Sequence, residues 1–141
     1  LSYNRLEFLN DNTFKNLENL KILQLDNNKL LYMNDILLQN LLNLEELYLN
    51  DNRISLVHSK AFQNLKNLKI IRLENNEIIL INPNWFEDKN QLYEITVCNN
   101  KGILSHSRCS IYGEENINVF KKEIRGNLNL DTNRIIIFNK I

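Results

Sequence analysis

The sequence predicts an α/β solenoid: a curved coil whose turns each add one short strand to a parallel sheet on the concave face and return through irregular or short helical convex segments. Three observations carry that prediction. A stretch recurs at a fixed step, as LKILQLDNNKL from Leu20, LEELYLNDNRI from Leu44, LKIIRLENNEI from Leu68 and LYEITVCNNKG from Leu92, each starting 24 residues after the last. Within a copy, the apolar residues fit neither the 3.6-residue period of a helix nor strict strand alternation. One Asn keeps a single register throughout, at Asn4, Asn28, Asn52, Asn76 and Asn100.

Each part of the repeat has a physical task. In LEELYLN the strand turns Leu47 and Leu49 inward, while Glu46, Tyr48 and Asn50 alternate onto the exposed face. After the strand the chain must bend inward, which buries backbone groups that need partners. An Asn amide offers both donors and an acceptor, so Asn52 can satisfy groups in its own turn and in the next. Stacked turns then form an Asn ladder. One coil cannot bury its apolar side alone, so stability comes from neighbouring turns. Phe14, Phe62 and Phe86 are expected to form an aromatic spine near the convex side.

The pattern L-x-x-L-x-L-x-x-N-x-L resembles the leucine-rich repeat. The second half of each unit matches the 24-residue subtype: Leu9, Phe14 and Leu17 fit, as do Val57, Phe62 and Leu65. Met33, Leu38 and Leu41 keep the character, whereas Ile81 and Phe86 are followed by Lys89 where Leu is expected. The resemblance implies a right-handed coil, and it points to the extracellular repeats of Toll-like receptors and of Slit-like and chaoptin-like adhesion proteins. It covers residues 1–103, as five copies of which the first is partial.

Beyond Asn100 the register fails. Residues 104–124 read as an irregular insert, with a helix around 114–125 because Ile117, Phe120 and Ile124 recur at helical spacing before Gly126, a helix stop. Residues 125–141 read as a partial final repeat or a C-terminal cap, with Asn133 in the ladder position 33 residues after Asn100. The chain starts inside a repeat unit and lacks cysteine-rich caps, so a fragment of a longer protein is expected, with self-association through the uncapped ends as another consequence.

The 141 residues, 43% apolar, are enough for one domain with a real core. Seventeen basic and seventeen acidic residues give no net charge, which argues against a nucleic-acid partner or an anionic membrane surface. No run of 18 apolar residues offers a membrane span, and the first residues have no signal-peptide pattern. Asn accounts for 27 residues. Drift in an AT-rich coding sequence explains part of that excess but not Asn held in one register.

No arrangement for catalysis stands out. His58 and His106 fall in or after return segments, and no carboxylate is placed by the repeat to orient the neighbouring His58 and Ser59 as a catalytic pair. The three Gly residues form no phosphate-binding loop, and no metal site or cofactor is expected. Cys98 and Cys109 could form a disulfide that staples the insert to the solenoid, or remain two thiols.

The surface available for function is the concave sheet, whose outward positions vary while the Leu positions hold the coil. The candidate partner-binding residues are Ile22, Gln24, Glu46, Tyr48, Ile70, Arg72, Glu94 and Thr96. Ile22 and Ile70 stand out as apolar residues expected to be exposed there, and Tyr48 and Arg72 belong to types enriched at binding hot spots. The expected function is therefore non-catalytic binding of a protein, or of a glycan, by an extracellular receptor, adhesion or immune-recognition module. An intracellular scaffold with the same fold is the alternative.

Overall fold

A computed structural model of the chain describes residues 1–101 and 110–128. In chain order the strands are β1 (Ile22–Gln24), β2 (Tyr32–Met33), β3 (Glu46–Tyr48), β4 (Leu56–Val57), β5 (Ile70–Arg72), β6 (Glu94–Thr96) and β7 (Ser110–Tyr112). A short 3-10 helix spans Pro83–Phe86, and one α-helix, α1, spans Glu114–Leu128. The coil is a leucine-rich-repeat solenoid, and its sheet runs in the order β1-β3-β5-β6-β7.

From β1 to β6 the pairing is parallel with no slip, so residues 24 apart face one another: Gln24, Tyr48, Arg72 and Thr96 form one row and Ile22, Glu46, Ile70 and Glu94 another. Between these rows Leu23, Leu47, Ile71 and Ile95 point inward and are buried. That in-out alternation is the strand period of two, and it fixes the register because a one-residue slip would turn the core residues to solvent. On the other side of the core Phe14, Phe62 and Phe86 are buried, with Leu38 in the same column. Phe62 reaches Phe86 through Trp85, whose ring lies edge-on to each at 5.8 and 6.2 Å, and Phe120 of α1 extends the series at 5.7 Å from Phe86. Trp85 has the small Ala61 at its register position in the preceding turn.

The ladder amides work as one unit. Asn52 Nδ2 donates to the Leu25 carbonyl at 3.0 Å and to the Leu49 carbonyl at 3.1 Å, and its Oδ1 accepts from the Leu30 N–H at 3.0 Å. Asn76 and Asn100 repeat the arrangement. The cross-turn partners thus lie in the preceding turn, where the sequence reading placed them in the next. The reason is that the Asn side chain leans back over the turn that precedes its own strand. Asn28, Asn52, Asn76 and Asn100 are buried, whereas Asn4 is exposed and bonds only to the Leu1 and Ser2 carbonyls. Asn133 lies outside the described residues.

Two further columns explain other Asn positions. Tyr3, Asn27, Asp51, Asn75 and Asn99 all adopt φ of 54 to 57°, the left-handed region that Asn and Asp tolerate best among residues with a side chain. At the start of each return segment Asn10, Asn34, His58 and Asn82 accept a hydrogen bond from the backbone N–H two residues on, the turn geometry that short polar side chains stabilise. His58 fills an Asn position through Nδ1, and its carbonyl accepts from Trp85 Nε1.

The sheet does not stay parallel to its end. β7 pairs antiparallel with β6, matching Glu94 with Tyr112, Ile95 with Ile111 and Thr96 with Ser110. The physical reason lies in the loss of register after Asn100: 13 residues (97–109) separate β6 from β7, against 21 (49–69) between β3 and β5. That spacing is too short for a full coil, and β7 pairs the edge of β6, whose backbone groups would otherwise lack partners. Gly113, at φ +85°, then redirects the chain into α1. There Ile117 and Phe120 are buried against the core. Gly126, read from the sequence as a helix stop, lies inside α1.

Candidate functional site

The concave face is built by the outward residues of β1, β3, β5 and β6. Near its centre, four side chains form a continuous set of contacts. Tyr48 Oη donates to Glu46 Oε2 at 2.7 Å. The Arg72 guanidinium sits over the Tyr48 ring at 5.4 Å from its centroid, within cation–π range. Arg72 Nε and Nη2 both reach Glu94 Oε1 at 2.9 Å. Burial, reinforced by the Glu46 carboxylate that accepts its hydrogen bond, pushes the Tyr48 phenol up to about 12. The phenol therefore stays a neutral donor across the physiological range.

This cluster changes the exposure expected at two of the apolar candidates. Ile22, on the outer strand β1, is 49% exposed, but Ile70 is only 8% exposed. Ile70 pairs in register with Glu46 on one side and Glu94 on the other, and the contacts linking Glu46, Tyr48, Arg72 and Glu94 close around it. It supports the cluster from below and offers no apolar surface of its own. Glu94 and Thr96 are buried as well, since β7 packs along them and the Thr96 hydroxyl donates to the Glu74 carboxylate. The accessible part of the face is thus Ile22 and Gln24, with Glu46, Tyr48 and Arg72 half-buried beside them.

A further row runs along the sheet end: Asp26, Asn50, Glu74 and Cys98, all half-buried. Asn50 Oδ1 is buried without a hydrogen-bond partner among the described residues. Burial raises the Asp26 carboxyl, but donation from Ser2 and Asn27 outweighs it and leaves the group below the usual carboxylate range. The named charges of the face are four carboxylates, Asp26, Glu46, Glu74 and Glu94, against one guanidinium, Arg72. Cys98 ends this row, while its candidate disulfide partner Cys109 lies outside the described residues, as does His106.

A second polar region escaped the sequence reading. Asn19, Asn43, Asn67 and Gln91, again 24 apart, line a groove of about 420 Å³ on the flank just before the strands, with Lys21, Glu45 and Lys69. Asn43 and Asn67 donate to the Glu18 and Leu42 carbonyls of the preceding turn. Lys69 and Lys21 hold the Glu45 carboxyl below its ordinary range. The recurring Asn before the first Leu of each unit was the available signal.

Among the described residues, no three His, Cys, Asp or Glu residues are grouped to hold a metal ion, and no helix is long and apolar enough to cross a membrane. The comparisons with known proteins agree with the architecture. A leucine rich repeat family profile matches residues 1–54 and 42–101. No curated protein matches the chain. Among solved structures, it resembles Toll in the Toll–Spatzle complex of Drosophila, at 30% identity over 74% of this chain with a TM-score of 0.65. It also resembles TLR13 in the TLR13–ssRNA13 complex, at 22% identity over 74% of this chain with a TM-score of 0.66. The chain spans about 15% of the length of either structure.

Proposed function

The chain belongs to the leucine-rich repeat family, and from that premise we propose that it is a non-catalytic recognition module that receives a protein partner on its concave sheet. The observation that carries this reading is the Glu46–Tyr48–Arg72–Glu94 cluster. An aromatic and an Arg, fixed by neighbours and set beside the exposed Ile22 and Gln24, have the composition of an interface hot spot that needs little ordering on binding.

The choice of a protein over a polyanion rests on local charge. Zero net charge does not exclude nucleic acid for this fold, since the TLR13 structure is a complex with ssRNA, and that exclusion is withdrawn. The argument for this chain is narrower. Asp26, Glu46, Glu74 and Glu94 outnumber Arg72 on the named face, and a phosphate backbone would meet repulsion there. A protein surface with basic or neutral polar groups fits better, and the resemblance to Toll bound to Spatzle supports it. A receptor-like location outside the cell or on its surface is supported by the same resemblance.

The experiment is photo-crosslinking with a benzophenone amino acid at Gln24, on the face, or at Gln63, exposed on the return segment. The reading predicts one partner captured from Gln24 in the native source and not from Gln63. Equal capture, or capture from Gln63 alone, would move the site off the sheet.

A further inference from the structure

A second periodic surface lies on the opposite flank, after the Asn turns. Phe8, Tyr32, Leu56 and Leu80 recur at the 24-residue step and all remain exposed, at 71, 46, 67 and 62%. Leu31 and Ile79 lie next to them and are exposed too. β2 and β4 place Tyr32 and Leu56 in register, and backbone bonds from Lys29 to Leu6 and from Glu77 to Ile54 hold the adjoining turns alongside. The result is one apolar ridge crossing four turns. Nothing in the coil requires it: the core residues of this segment are Leu30, Met33, Ile54, Ile78 and Ile81, which are buried.

We propose that this ridge is a self-association surface on which a second copy of the chain packs about a two-fold axis running along the ridge. Two arguments select a second copy. The six side chains expose together roughly 500–700 Å², about the upper end for a patch on a soluble monomer and close to the ~800 Å² per partner of a standard interface. Charge supplies the second. In each turn, the residues three before and three after the ridge position lie about 10 Å to either side of it. The columns are Arg5, Lys29, Arg53 and Glu77 on one side and Asp11, Asp35, Ser59 and Pro83 on the other. A two-fold axis along the ridge turns one copy's left side onto the other's right. Arg5 and Lys29 of one copy then face Asp11 and Asp35 of the other, and the apolar rows meet between them. An axis across the ridge would instead set Lys29 against Arg53 and Arg5 against Glu77, and would leave Asp11 and Asp35 without a basic partner, so charge favours the first arrangement.

This proposal does not rest on the concave-face reading. Its test is sedimentation velocity of the whole chain over a concentration series, with thermal melts of each variant. The expected result is reversible formation of a species of twice 16.8 kDa. Leu56→Asp should raise its dissociation constant at least tenfold, with a cooperative melt retained. Lys29→Glu should weaken it and Asp35→Lys should weaken it, while the two changes together should restore it, because each chain then carries the reversed pair. A chain that stays monomeric to millimolar concentration overturns the proposal and leaves the ridge to a different protein. A dimer untouched by Leu56→Asp, or a charge-swapped pair that fails to recover, overturns it as well.

Discussion

The Asn52 amide holds the Leu25 carbonyl at 3.0 Å across 27 residues of sequence, so one side chain seals the turn below its own. The same amide also takes the Leu30 N–H and reaches the Leu49 carbonyl. Asn52→Ala leaves these buried groups without partners and should cost about 1–3 kcal/mol of unfolding free energy. Denaturant unfolding checks this, and Asn4→Ala serves as the control. Asn4 is exposed and bonds only within its own turn, so its loss should fall within about 0.5 kcal/mol.

Lys89 occupies a column where Leu41 and Leu65 are core residues, and it is itself buried. Among the described residues its Nζ reaches only the Glu87 carbonyl, at 3.4 Å. Burial, with the nearby Lys121 charge, lowers its pKa from 10.5 to about 8. The unfolded chain therefore keeps a proton between pH 8 and 10.5 that the folded chain has released. Stability rises with pH across that window, by up to about 3 kcal/mol, and the penalty is fully present below pH 8. Lys89→Leu should remove the slope and stabilise the chain at pH 7 by about 1–3 kcal/mol. Melts at pH 7 and 9.5 for both proteins would decide it, and an unchanged slope in the variant would place its origin elsewhere.

Trp85 joins packing to a hydrogen bond, since its ring bridges Phe62 and Phe86 while Nε1 donates to the His58 carbonyl. The two contributions separate by substitution. Trp85→Phe should lose about 1 kcal/mol with the hydrogen bond, and Trp85→Ala about 3–5 kcal/mol with the ring. Near-equal losses in equilibrium unfolding would show that the ring carries little of the stability.

The sheet rows, the inward Leu positions and the buried ladder were legible because the 24-residue step constrains each position several times over. The rest depended on contacts that no single position reveals. Ile70 reads as an exposed Ile until Glu46 and Glu94 are seen on either side of it and Tyr48 with Arg72 closing the gap. β7 could not be foreseen as antiparallel, because a sequence that has lost its register gives no strand direction. The Asn excess was legible in principle: Asn10, Asn34 and Asn82, Asn27, Asn75 and Asn99, and Asn19, Asn43 and Asn67 keep the same step at other offsets. Each offset answers a separate backbone demand, so codon drift explains less of the composition than the sequence alone suggested.

The central claim is that the Tyr48–Arg72 cluster is the recognition surface. Its most direct test is the affinity of the partner captured through Gln24 for the chain and for the Tyr48→Ala, Arg72→Ala double variant, by titration calorimetry. The account predicts at least ~30-fold weaker binding, about 2 kcal/mol, with a cooperative thermal melt retained. Unchanged affinity in a folded double variant would contradict it.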